Sequence, residues 1–317
     1  MENSHLIFLI VGLCRKVFSL CVLHTLLFSN ILYGQTVPVN YRIYRFSGRD
    51  SVPSRYFPQS NELYLSGFDT DGKGTFYFAG GNPLQIACFR DTAIVYRRVF
   101  DGKLSLKGIF GLRKDSIYVI ADQQKELIRL HKSGQGEAVE LELPVREICG
   151  GRMAKNSFML YCPVASLVNG DTVYYKEKCV YEFDYSFKML SCKKVSKEEQ
   201  EELLYPRPYS HNVPSLFYYK GDYKGYGLYW GTDCGKWQLL LTDKEGQVKY
   251  NYDIPMPADD PFSIIPLQVL GIYEDAEVHR PSPDFEVLRN GRFYTVGFDG
   301  KKNKLIVTEV DLSVVFP

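Results

Sequence analysis

Asp69-Thr70-Asp71-Gly72-Lys73-Gly74 is the stretch whose residue types speak first of chemistry. Alternating carboxylates place hard oxygens around one cation, and the glycine permits the sharp turn such a loop needs. The third acid and the closing Glu of a calcium loop are missing, and Asp-Gly is also an ordinary hairpin signal. A plain turn is the expectation, with no metal. Three histidines follow the first 35 residues: His131, His211 and His279. None stands in a His-x-His or His-x-x-x-His spacing, so no zinc site is expected. There is no Gly-x-Ser-x-Gly, no Walker loop and no Gly-x-Gly-x-x-Gly opening a helix. Carboxylate pairs for glycoside hydrolysis are available among the scattered Asp and Glu, but spacing nominates none. Catalytic residues stay unassigned, and no cofactor is expected.

The stretches that break the pattern of the chain are better candidates. Residues 204–214 are rich in Pro and Tyr, and residues 274–284 form a second long polar run. Long loops on a rigid scaffold are where binding residues concentrate. If there is a ligand site, Tyr209, His211, Asn212, His279 and Arg280 are expected to form it. Lys194 to Glu202 is charged and helix-compatible, and reads as a solvated connection.

Those loops need a frame, and residues 108–144 show it. Ile117-Tyr118-Val119-Ile120-Ala121 is a β-forming run, Leu127-Ile128-Arg129-Leu130 follows, and Val139 to Leu143 alternates apolar and polar. Turns at 113–116, 123–126 and 132–135 separate them. This is four short strands, about one propeller blade. Thr75-Phe76-Tyr77-Phe78 lies 41 residues before Ser116-Ile117-Tyr118-Val119, and Ser157-Phe158-Met159-Leu160 lies 41 after it. Gly227-Leu228-Tyr229-Trp230 and Arg292-Phe293-Tyr294-Thr295-Val296 are looser copies. Lys132-Ser133-Gly134-Gln135 matches Lys244-Glu245-Gly246-Gln247. A period near 40 fits stacked blades; a β-sandwich with coincidental hairpins is the competing fold. Blade-like units cover about 66–104, 105–145, 146–197, 205–257 and 262–312. With the N-terminal strands counted, an all-β propeller of six four-stranded blades is expected, five or seven fitting the same spacing. Val37 to Phe46 alternates and is assigned to the last blade, pairing near 304–310 and removing an exposed edge. Residues 36–317 are expected to form this single domain.

The chain has 317 residues, 24 Tyr and 20 Phe, and a formal charge of +1. The aromatics suit pleated, half-buried surfaces. The neutral balance and the lack of a basic, aromatic-interleaved patch give no reason to expect nucleic acid. Residues 1–35 differ in kind: Arg15-Lys16 precedes a 12-residue apolar stretch, 17–28, and Gly34 offers a small residue for cleavage. This is signal-peptide architecture, implying export to periplasm, cell surface or medium, without stable membrane insertion once cut. An uncleaved anchor helix is the alternative.

Export permits disulfides, and residues 36–317 hold six cysteines: Cys88, Cys149, Cys162, Cys179, Cys192 and Cys234. If Tyr185 and Ser186 are the central residues of a two-residue turn, Asp184 faces Phe187 and Cys179 faces Cys192. Direct opposition on one face suits a disulfide. A one-residue change in the turn sends the two side chains to opposite faces, leaving two reduced thiols.

The leader and the Asp-Ser-Ile-Tyr-Val-Ile-type repeats together resemble the secreted six-bladed β-propeller proteins of Bacteroidetes, which are similar to NHL-repeat propellers. Residues 69–76 also faintly resemble the Asp-box of sialidase-type propellers, with Asp69 where Ser leads and Lys73 where Gly is expected. The first resemblance implies an exported binding or scaffold role for a glycan, peptide or protein, and carries no catalytic residues. The alternative is an exported polysaccharide hydrolase or lyase with acids at the mouth of a central channel.

Overall fold

The computed structural model describes residues 41–47, 52, 55–57, 62–65, 67–81, 83–101, 106–121, 126–141, 150–168, 171–196, 198–199, 202, 207–233, 236–254, 285–299 and 301–314. The proposed leader, His279 and Arg280 lie outside these residues.

The chain forms an all-β propeller. It opens with β1 (Tyr41–Ser47) and a two-stranded hairpin of β2 (Arg55–Phe57) and β3 (Glu62–Tyr64). Blade 1 is β4 (Gly67–Thr70), β5 (Thr75–Gly80), β6 (Leu84–Arg90) and β7 (Ala93–Phe100). Blade 2 is β8 (Leu106–Arg113), β9 (Ser116–Ala121), β10 (Glu126–His131) and β11 (Gly136–Glu140). Blade 3 is β12 (Gly150–Met153), β13 (Ser157–Val168), β14 (Asp171–Asp184) and β15 (Met189–Val195). Blade 4 is β16 (Phe217–Tyr223), β17 (Tyr226–Asp233), β18 (Lys236–Thr242) and β19 (Val248–Asp253). Blade 5 is β20 (Glu286–Arg289), β21 (Arg292–Asp299) and β22 (Lys304–Asp311), completed by β1.

The described residues thus form five four-stranded sheets, not six. The N-terminal strands do not make a blade of their own. β1 is consumed as the fourth strand of blade 5, with Tyr41 opposite Val310 and Ser47 opposite Lys304. β2 and β3 pair only with each other.

The innermost strands lie side by side: β20 against β4, β4 against β8, β8 against β12, and β16 against β20. Gly111 permits one of these approaches, since a Cβ there would sit 1.8 Å from the Met153 sulfur. Strand alternation then explains the apolar runs. β5 is buried along its whole length because it has a blade on each side. Phe76 and Phe78 face blade 5, joining Phe46, Tyr294 and Val307. Tyr77 and Ala79 face blade 2, joining Ile117, Val119 and Ile128. Tyr118 turns the other way, onto Phe158 and Phe183 of blade 3. The outermost strand β7 has no second neighbour and is largely exposed.

The step from blade 3 to blade 4 is built differently. Met159, Val180 and Val195 cluster on the blade 3 side. Phe217, Tyr219, Tyr229 and Leu240 cluster with Val213 on the blade 4 side. Among the described residues no apolar cluster joins the two. The connection carries a capping box, Ser196 N–H to Glu199 Oε2 at 2.8 Å and Glu199 N–H to Ser196 Oγ at 3.1 Å, with residues 198–199 and 202 helical.

Candidate functional site

Each blade is an antiparallel meander, so its first and third turns open on one face of the ring and its second turn on the other. The first-turn face holds 71–74, 114–115, 154–156, 224–225 and 290–291. Its chemistry begins with buried ion pairs between inner strands. Asp69 on β4 accepts from the Leu112 N–H of β8 at 2.5 Å, from the Thr70 N–H at 2.7 Å and from Arg289 Nη2 of β20 at 2.9 Å. Arg289 Nη2 also donates to the Leu112 carbonyl at 3.2 Å. Lys220 of β16 and Glu286 of β20 pair at 2.8 Å, their side chains 4% and 10% exposed. The Asp-x-Asp-Gly stretch is accounted for in the same way. Asp69 serves the ring, and Asp71 Oδ1 accepts from the Lys73 and Thr75 N–H groups within its own turn.

Outward from Asp69, at the joint of blades 5 and 1, lies a depression of about 420 Å³. Arg42, Tyr44, Lys73, Asp91, Asn290 and Arg292 line it, with Gly72 and Gly74 of the first turn. Register explains its floor. Glu309 of β22 stands between Arg42 of β1 and Tyr294 of β21 in one cross-strand row. Its side chain is 2% exposed. Oε1 accepts from Arg292 Nη1 at 2.6 Å and Oε2 from the Tyr44 hydroxyl at 2.9 Å. One buried carboxylate therefore fixes two pocket side chains: Arg292 keeps further N–H groups to offer, while the single Tyr44 O–H is spent on Glu309. Burial, and then the Glu309 carboxylate, push the Tyr44 hydroxyl above its ordinary range. Tyr44 stays a protonated donor. Asn290 Nδ2 donates to the Asp71 carbonyl at 3.1 Å and the Asp91 N–H to the Gly74 carbonyl at 2.7 Å, fixing the rim.

The residues expected from the loops fall elsewhere. Tyr209, His211 and Asn212 lie beside the third turn of blade 4. A Cβ on Gly246 would meet the Tyr209 carbonyl at 3.1 Å and the His211 nitrogen at 3.3 Å. Tyr209 has φ of 59°, His211 and Asn212 are exposed, and the Tyr229 hydroxyl donates to the Pro208 carbonyl. Sequence reasoning nominated none of the pocket residues. The nearest signal was the Asp69–Gly74 turn, read as a turn.

The cysteine pairing expected from the turn is corrected. Lys188, not Phe187, faces Asp184, because Phe187 adopts φ of 72° and lengthens the loop by one residue. A bulge between Glu182 and Phe183 shifts the register once more, placing Tyr181 opposite Cys192 and Lys194 opposite Cys179. Two single-residue shifts return Cys179 and Cys192 to one face as diagonal neighbours, both free thiols. Cys162 is the residue directly opposite Cys179.

No family model matches the chain, and no curated protein matches it. Solved structures with some likeness include a glutaminyl cyclase of Myxococcus xanthus, 13% identical over 87% of this chain and 99% of that one, with a TM-score of 0.39. A member of the DUF4221 family from Bacteroides vulgatus is 9% identical over 86% and 97%, at 0.40. A virginiamycin B lyase of Staphylococcus aureus is 10% identical over 85% and 99%, at 0.38. The propeller assignment rests on the sheet order given above.

Proposed function

We propose that the chain is an exported, NHL-like propeller that binds a glycan, peptide or protein without transforming it. Its first-turn face is the binding surface. The single observation behind this reading is the state of the buried carboxylates. Acid–base chemistry on a polysaccharide needs carboxyl groups free to exchange protons with the substrate. Asp69, Glu286 and Glu309 each already accept from an Arg or Lys side chain. Among the described residues no group of three or more His, Cys, Asp or Glu is gathered as a metal cluster would need. What remains is a rigid wall of aimed donors, which suits recognition. The export part rests on Arg15-Lys16 and the apolar stretch behind it.

The experiment is an array of glycans, peptides and host extracts presented to residues 36–317, followed by product analysis of every retained ligand. Retention with the ligand recovered intact is expected. Cleavage or elimination of a retained ligand, abolished by Glu309→Gln or Asp69→Asn in folded protein, overturns the reading in favour of the enzyme.

A further inference from the structure

This inference rests on the binding reading and concerns its ligand. The depression at the joint of blades 5 and 1 holds three cationic side chains, Arg42, Lys73 and Arg292, against one carboxylate, Asp91. Counted alone, that lining is an anion site. The residues behind it change the count. Arg292 is paired to Glu309 at 2.6 Å and to Asp311 at 3.7 Å. Arg42 stands directly opposite Glu309 in the ladder and lies in the field of Asp311. Lys73 and Asp91 remain, one of each sign, on the two turns that Gly74 joins. Three cations face three carboxylates, so the site is charge-balanced.

It is also polar throughout. Among the residues lining it, only the ring of Tyr44 offers an apolar face, and Phe76 holds that ring edge-on at 4.7 Å. Apolar ligands need the opposite lining. A free anion gains little at Arg292, already paired with Glu309, and meets the fields of Asp311 and Asp91 beside Arg42 and Lys73. A hydroxyl-rich neutral ligand matches what is present. Guanidinium, amide and carboxylate groups are planar forks that take pairs of adjacent hydroxyls, and a buried polar group left unmatched is costly. The volume of about 420 Å³ is of small-molecule size.

We propose that this depression binds a neutral saccharide unit, with Asp91 and Asn290 accepting from its hydroxyls, Arg42, Lys73 and Arg292 donating to them, and the Tyr44 ring as its one apolar contact.

The test is calorimetric titration of residues 36–317 with neutral oligosaccharides derived from glucan, mannan, galactan and xylan, beside uronate-containing oligosaccharides. Each is run at low and high salt, with Asp91→Asn, Lys73→Met and the wild type. Both substitutions are near-isosteric and exposed, and thermal unfolding serves as the folding control. The expected result is binding of at least one neutral oligosaccharide, insensitive to salt, weakened about tenfold or more by Asp91→Asn in protein of unchanged stability. Binding confined to uronates and lost at high salt overturns the ligand class while leaving the binding reading intact. Saccharide binding untouched by both variants overturns the site but not the role. Failure to bind any saccharide overturns the inference; capture of a peptide or protein from the array then keeps the broader reading alive. Conversion of a bound saccharide to product sinks the broader reading itself.

Discussion

Arg289 Nη2 lies 2.9 Å from Asp69 Oδ2, across 220 residues of sequence. The pair joins the inner strand of the last blade to that of the first, and the same carboxylate holds the Leu112 N–H of the second. Asp69 is buried but the Arg289 side chain is 37% exposed, so water screens the guanidinium left behind and the cost falls short of a fully buried pair. Asp69→Ala is expected to lose about 2–3 kcal/mol in urea unfolding, the orphaned Leu112 N–H included. Adding Arg289→Met is expected to recover part of it, since the unpaired guanidinium goes too.

Phe46 on β1 packs edge-on against Phe76, Phe78 and Phe89 of blade 1. It is 1% exposed. Phe46→Ala is expected to cost about 3–5 kcal/mol through lost transfer energy and the cavity left behind. Deleting residues 36–47 strips blade 5 of its fourth strand and is expected to lower the single thermal transition of the whole ring. Unchanged unfolding of that deletion counts against closure by β1.

Tyr77, Cys88 and Tyr96 form one cross-strand row in blade 1. Burial pushes the Cys88 thiol up to about 11 from its ordinary 9.0. In the unfolded chain the thiol ionises first, so the folded state holds its proton over a wider range. Stability is therefore full below about pH 9 and declines as pH rises toward 11, by about 3 kcal/mol at most. Cys88→Ala is expected to flatten the decline between those values, read as the pH dependence of urea midpoints. An unchanged slope in Cys88→Ala assigns the loss to other groups.

Asp184 and Asp243 each brace a third turn. Asp184 Oδ1 accepts from the Ser186 hydroxyl at 2.6 Å and the Lys188 N–H at 3.0 Å, and Asp243 Oδ1 from the Gln247 N–H at 2.8 Å. These bonds, with Ser186 and Lys249 the leading partners, hold both carboxyls below the usual 3.8. A depressed folded value contributes stability above the unfolded value and loses it as pH falls through the folded one. Acid unfolding is thus expected to begin below about pH 4. Asp184→Asn with Asp243→Asn is expected to lower stability at neutral pH and to make the acid limb shallower in denaturant titrations.

Much of the frame was legible because its signals are local. The Thr75–Phe78 run reads as a strand of the repeat, and the five blade-like units coincide closely with the five sheets. The strand after Tyr41 closes the last blade against β22, as its alternation predicts; the count of six fails because the other N-terminal strands, β2 and β3, pair only with each other and add no blade. The thiols went astray at Phe187, where a non-glycine residue takes positive φ with no sequence signal to announce it. The pocket was invisible for a different reason. Arg42, Lys73 and Arg292 sit in ordinary strands and turns far apart in the chain, and only ring closure sets them together.

The closure of blade 5 by β1 has a mechanical consequence. The chain ends are latched by a shared sheet, so the ring does not part where its thread begins and ends. Ahead of blade 4, Arg207 Nη2 grips the Val213 and Pro214 carbonyls at 3.3 and 3.0 Å, and Val213 packs on Phe217, Tyr229 and Leu240. Lys220–Glu286 and Asp69–Arg289 rivet blades 4, 5 and 1, and Asp69 reaches on to the Leu112 N–H of blade 2. A pull on β1 or β22 is therefore loaded onto several blades at once rather than onto one sheet edge.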